Sequence, residues 1–407
     1  MRNRRFWHPV IQIFTFATMS LAVTAWATNT TRLVYSFGGA SDGEYTDTEL
    51  VRDSAGNLYG SSVQGGTFGG GTVFQITPAG VHTVLYNFTG GADGGEPYKG
   101  VTLDSHGNLY GTAVTGGGGG CEGGCGVVYK LTKTGSTWTQ SVIHQFTGGT
   151  DGSGPGAPVA VDKQGNVYGT TPTGGANGVG VVYQIKPSGS GWTLNVIHAF
   201  TGGTDGSGGS AGRFFIDTAG NLFNVCTTGG AHGFGVVYEI SPSPRKWRFT
   251  ALYAFKDQPD GASPYGGVVF DKAGNIYGTT YYAGAHDLGS VYKLTHNGAT
   301  WTESVLYSFK GGMDGASPIS SLVADAAGNF YGTTSEGGAT TCGCGVIYKL
   351  AKGTSGKWTE TVVYRFPGQP SAGFAYNGMI NGTAGSFYGA TVHGGNGNDG
   401  AVYQLTP

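Results

Sequence analysis

The chain has 407 residues, of which 80 are glycine and only 11% are charged, for a formal net charge of −2. Aromatic residues make up 13% and no Gly-X-Y period runs through the sequence, which excludes a disordered chain and a collagen. There is no Lys/Arg cluster after residue 5, so attraction to nucleic acid or an anionic membrane has no electrostatic basis.

The first element is a leader. Arg2, Arg4 and Arg5 precede an apolar stretch from Val10 to Val23, and Ala25-Trp26-Ala27 supplies a small-x-small cleavage pattern. The run is shorter than the ~20 residues a membrane span needs, so residues 1–27 are expected to be a signal peptide. The mature chain, beginning near Thr28, holds no other apolar stretch long enough to span. A secreted, periplasmic or cell-surface location is the expectation.

From there the sequence repeats. An aromatic residue closes a β-type run at Phe37, Phe88, Phe146, Phe200, Phe255, Phe309 and Phe366, at gaps of 51, 58, 54, 55, 54 and 57 residues. That period suits a four-stranded propeller blade. In the fifth unit the runs are Gly267 to Asp271, Asn275 to Thr280, Ser290 to Thr295 and Trp301 to Phe309. Period-2 alternation in the last run places Trp301, Val305, Tyr307 and Phe309 on one face. The mature chain opens on a fourth-strand pattern, Thr31 to Phe37, and closes on a third-strand pattern, Gly400 to Pro407. Joining the two completes one blade and removes the open sheet edges. The expected fold is therefore all-β: one seven-bladed β-propeller over residues 28–407, with four antiparallel strands per blade.

The recurring string is clearest in Tyr307 to Pro318 (YSFKGGMDGASP) and Asp271 to His286 (DKAGNIYGTTYYAGAH), and it resembles the bacterial GloVer tandem repeat. The resemblance covers essentially the whole mature chain. It implies an exported protein of a kind that often carries a C-terminal surface anchor, and it implies no particular activity. The sequence stops at Pro407 without an apolar tail or sorting motif, which favours release over anchoring.

The octapeptide at Asp53 (DSAGNLYG) has close copies at Asp104, Asp162, Asp217, Asp271 and Asp325, and a worn one from Gly382. An acid, an amide and a glycine at this spacing suit a hairpin turn, so these aspartates are read as structural. The Asp-Gly pairs at Asp42, Asp93, Asp151, Asp205, Asp260 and Asp314 are read likewise: one carboxylate per blade does not assemble a calcium site. His144 and His198 replace Tyr inside fourth strands and are read as packing.

Function is expected on the face carrying the long loops, those from fourth to first and from second to third strands. There, residues that depart from the repeat are the candidates: His232, His286, His393, Tyr281, Tyr282, Asp287 and Glu336. Exposed tyrosines beside polar groups suit a saccharide platform, whereas each histidine is read first as a surface turn residue. Arg213 points either into the channel or to solvent. Cys121 with Cys125 and Cys342 with Cys344 are expected disulfides in an exported chain, and Cys226 a buried thiol. No catalytic motif, metal site or cofactor site is recognised, and a monomer is expected. The leading reading is a non-enzymatic propeller binding a polysaccharide or a surface protein. A polysaccharide lyase or glycosidase and a purely structural repeat protein remain open.

Overall fold

The structure, a computed structural model, describes residues 29–208, 212–298, 300–338 and 342–407. The expected signal peptide, residues 1–27, lies outside them. Seven small, mainly antiparallel sheets form a closed ring, a seven-bladed β-propeller. Blades 1 to 6 occupy residues 51–87, 99–145, 160–199, 215–254, 269–308 and 323–365. Blade 7 takes its first three strands from residues 380–406 and its fourth from Thr30–Ser36. Thr30 pairs with Thr406 and Ser36 with Ala401, so the two ends of the sequence share one sheet. No helix among the described residues is long and apolar enough to cross a membrane.

Alternation along the fourth strand is not continuous, which corrects the reading of Trp301 to Phe309. Tyr292 pairs with Val305 while its neighbour Val291 pairs with Tyr307, so Leu306 is an extra residue in a bulge. Beyond the bulge the side chains change face. Trp301 joins Tyr292 and Leu294 in the core shared with blade 4, whereas Tyr307 and Phe309 join Val291 in the core shared with blade 6. The same register shift occurs in all seven fourth strands, at Val34, Leu85, Ile143, Ile197, Leu252, Leu306 and Val363. An aliphatic residue before the aromatic pair thus lets one strand bury apolar surface against both neighbouring blades.

The third strand carries a fully buried tyrosine in six blades (Tyr129, Tyr183, Tyr238, Tyr292, Tyr348 and Tyr403), with Phe74 in blade 1. In blade 5, Tyr292 pairs with Gly278, and a Cβ there would collide with the phenol ring. These six hydroxyls have no protein hydrogen-bond partner among the described residues. Tyr292→Phe is expected to leave stability within about 1 kcal/mol of the parent or raise it, because the hydroxyl is desolvated without return. Gly278→Ala is expected to cost about 1–3 kcal/mol through overpacking. Denaturant melts of the two variants check both.

Along the outer seams, a fourth-strand side chain packs on the preceding blade. His82 stacks on Tyr35 at 4.5 Å and Phe249 on His198 at 4.4 Å. In blades 5 and 6 the corresponding residues are acids: Glu303 faces Asp260, and Glu360 faces Asp314. Burial, then the Asp260 carboxylate, raises the Glu303 carboxyl against the opposing pull of Lys256. Glu360 is pushed up to about 7 from an ordinary 4.5 by burial and then by Asp314, with Arg365 and Lys310 opposing. The folded chain holds this proton more tightly than the unfolded one. The stabilisation is therefore complete below pH 4.5 and is lost as pH rises through about 7. Glu360→Gln is expected to raise the melting temperature at pH 8 and flatten its dependence between pH 5 and pH 8. An unchanged pH profile would show that the carboxyl pair carries no proton linkage.

Candidate functional site

The recurring octapeptide saturates its own acid. Asp53 accepts the Asn57 backbone N–H and side-chain amide, both at 2.8 Å, and the Tyr59 hydroxyl at 2.9 Å. Burial raises its pKa, but the hydrogen bonds from Asn57, Tyr59 and Ala55 outweigh it and hold the carboxyl below its usual range. Asp104, Asp162, Asp217, Asp271 and Asp325 accept the same two bonds from Asn108, Asn166, Asn221, Asn275 and Asn329. In blade 7, Ser386 donates to the Thr383 carbonyl instead. The Asp-Gly aspartates on the opposite face are similarly engaged. Asp260 accepts the Lys256 N–H and the Tyr253 hydroxyl, both at 2.8 Å, while His144 and His198 meet Asp151 and Asp205 in the tyrosine's place.

The long-loop face is built on one recurring bridge between the loop entering each blade and the end of its second strand. Its members are Glu44–Gln64, Gly95–Thr115, Ser153–Thr173, Ser207–Thr228, Ala262–Tyr282, Ala316–Glu336 and Gly373–His393. Tyr282, Glu336 and His393 are therefore equivalent positions in blades 5, 6 and 7. The residue after the bridge has a left-handed backbone throughout. Gly154 and Gly208 hold it in blades 3 and 4, but Tyr45 (φ 55°), Glu96 (55°), Ser263 (54°), Ser317 (57°) and Phe374 (58°) hold it elsewhere. A side chain in this region costs of order 1–3 kcal/mol, and such strain collects at functional sites.

Two residues further on, Asp47, Tyr98, Gly156, Tyr265, Ile319 and Tyr376 reach the channel mouth; the blade 4 counterpart lies outside the described residues. Here Lys99 Nζ lies 2.8 Å from Asp47 Oδ1, which also accepts the Asn377 amide at 2.5 Å. Burial opposes the Lys99 charge, but Asp47, with Tyr265 and Glu49, outweighs it and raises its pKa. Deeper, Arg213 crosses the channel to Glu49 at 3.2 Å and also donates to the Val101 carbonyl. Arg213 thus points inward, into a second cavity of about 540 Å³ that Leu50, Phe214, Val268 and Met379 line on the short-turn side.

On the long-loop side a cleft of about 510 Å³ spans blades 1 to 5. Gly154, Gly156, Ala157, Pro172 and Gly208 give it a side-chain-poor floor, and Tyr98, Tyr265, Glu96, Asp47 and Lys99 line it as well. The tyrosines continue past it: Tyr281 lies 6.3 Å from Tyr265 and 4.4 Å from Tyr282, which is exposed. The Tyr376 hydroxyl is raised by burial, then by Tyr281, Asp47 and Glu336, with Lys99 opposing, which brings these groups into one electrostatic neighbourhood. His393 packs edge-on against Tyr45 and Phe374.

Of the candidates read from the sequence, Tyr281, Tyr282, Glu336 and His393 thus gather around the mouth. His232 and His286 stand exposed at loop tips, and Asp287 accepts the Ala283 N–H of its own loop at 3.2 Å. Cys121–Cys125 and Cys342–Cys344 are disulfides with Cα separations of 5.1 and 5.2 Å, and Cys226 is a buried thiol. Sequence reasoning missed Asp47, Glu96, Tyr98, Lys99, Tyr265, Tyr376 and Asn377. The signal was present: Asp47, Tyr98, Tyr265 and Tyr376 each stand six residues before the start of the octapeptide, where Gly156 and Ile319 stand in other repeats. Glu96→Gly is expected to stabilise the fold by up to about 1 kcal/mol by relieving the left-handed backbone, while removing a carboxylate from the cleft. A thermal melt that falls instead would show that this side chain serves the fold.

Comparison with known proteins places the chain by its repeat. The Gloeobacter/Verrucomicrobia repeat matches residues 118–260 and 243–407. No curated protein matches it. Among solved structures, it is similar to a candidate 6-phosphogluconolactonase from Bacteroides uniformis, at 14% identity and TM-score 0.52, over 82% of this chain and 88% of that one. It is similar to an ancestral GH74 enzyme at 11% identity and TM-score 0.53, over 90% of this chain and 48% of the other. A fungal alcohol oxidase of the AA5 family, in complex with copper, aligns at 15% identity and TM-score 0.54, over 91% and 76%. Identities this low show a shared fold alone. The repeat matches together span residues 118 to 407, and the chain belongs to the Gloeobacter/Verrucomicrobia repeat family.

Proposed function

We propose that this is an exported, non-enzymatic binding protein that takes a polysaccharide chain into the cleft at its long-loop channel mouth. The observation that carries the reading is the cleft itself, with Tyr98 and Tyr265 lining it beside a floor of glycine, alanine and proline. Aromatic faces offer apolar area to the C–H faces of sugar rings, and a bare floor lets an extended chain lie close to the backbone. Glu96, Asp47 and Thr227 supply hydrogen-bonding groups in the same cleft. Asp47 is committed to Lys99 and Asn377, which suits it to holding shape rather than delivering a proton. The basic and apolar leader and the two disulfides support export to an oxidising compartment.

The test is retention of the purified mature chain on a panel of immobilised polysaccharides, with reducing-end release assayed in parallel. Retention without release is expected, and Tyr265→Ala is expected to weaken it about tenfold. Release of reducing ends that Glu336→Gln abolishes would make the protein a carbohydrate-active enzyme. Absence of retention on every polysaccharide would leave a protein partner or a structural role.

A further inference from the structure

Among the described residues lining the cleft, the charged groups are Asp47, Glu96 and Lys99. Lys99 is already balanced by Asp47 at 2.8 Å, and the next charge inward, Glu49, by Arg213 at 3.2 Å. Glu96 is the carboxylate left over. It stands beside Tyr98, whose hydroxyl is raised by burial and then by Glu96 and Asp47, with Lys99 opposing. Glu336, close enough to act on Tyr376, adds a second negative charge to the same mouth.

An aromatic cleft with one uncompensated carboxylate selects among saccharides. A glycan bearing carboxylates would meet Glu96 as a like charge, while Lys99, the one cation lining the cleft among the described residues, is engaged by Asp47. A protonated amine has the opposite fortune: it can pair with Glu96 while resting against the faces of Tyr98 or Tyr265. We infer that the cleft is selective for polysaccharides whose sugar units carry a free, protonated amine, with Glu96 as the residue that determines that specificity. The inference rests on the saccharide reading of the cleft and narrows it. The geometry fits the role. Glu96 is held at φ 55° on the strained position of the loop, which blades 3 and 4 give to Gly154 and Gly208, on the cleft floor.

The experiment is calorimetric titration of the mature chain with a glucosamine hexamer, its fully N-acetylated counterpart and an oligolysine of equal charge. The glucosamine hexamer is expected to bind at least about tenfold more tightly than the acetylated one, with the difference shrinking as salt is raised. Glu96→Gln, a near-isosteric change checked for folding by its melt, is expected to erase that difference while leaving the acetylated affinity within about twofold. Equal affinities for the two hexamers in the parent chain would overturn the amine inference and leave the saccharide reading standing. Binding of neither hexamer would also overturn the amine inference, and the saccharide reading would then stand or fall on retention by the other polysaccharides of the panel. Oligolysine binding as tightly as the amino sugar would overturn the inference in favour of a basic peptide.

Discussion

The pairing of Thr30–Ser36 with Ala401–Thr406 is the constraint on which the rest of this molecule depends. Each blade is a small twisted sheet that buries both faces only when it has a neighbour on each side. An open row of seven would leave two unpaired faces and an unpaired strand edge. Sharing blade 7 between the two ends of the sequence removes all of these together, and the ring then places seven loop sets around one axis. The bulges in the fourth strands serve the same demand, since each lets a single strand present apolar groups to both adjoining cores.

What every blade shares is consumed by that demand. The aspartate of the octapeptide is saturated by its own turn, and the aspartate of each Asp-Gly pair by its own loop and a neighbouring tyrosine or histidine. The channel mouth is where the blades differ. Blades 3 and 4 offer glycine, alanine and proline there, whereas blades 2, 5 and 7 offer Tyr98, Tyr265, Tyr281 and Tyr376. A near-symmetric scaffold thus carries one lopsided cleft. Inside it, Asp47 with Lys99 and Glu49 with Arg213 tie together residues that belong to different blades.

Most of the architecture was legible in the sequence, because a period near 54 residues and two complementary terminal fragments leave little freedom. The bulge was not: nothing in Trp301 to Phe309 distinguishes an extra residue from continued alternation until the pairing of Val291 and Tyr292 is known. The site was half legible. Tyr281, Tyr282, Glu336 and His393 departed visibly from their repeats. Asp47 and Glu96 sat in loops, and Lys99 at the end of one, whose glycines masked the register. Arg213 carried a further difficulty, because unit four has one more residue between the left-handed position and its octapeptide (Gly208 to Asp217, against Ser263 to Asp271). Only the ion pair itself shows that it stands opposite Glu49 in the channel.

The shared residues are scaffold, and binding belongs to the lopsided mouth. Hydrogen–deuterium exchange of the mature chain with and without a retained oligosaccharide tests it most directly. Slowed exchange is expected in residues 95–99, 154–157 and 263–266, with residues 53–59, 104–110 and 271–277 unchanged. Slowed exchange confined to those octapeptide hairpins, or to residues 213–216 and 378–381 at the opposite mouth, would contradict it.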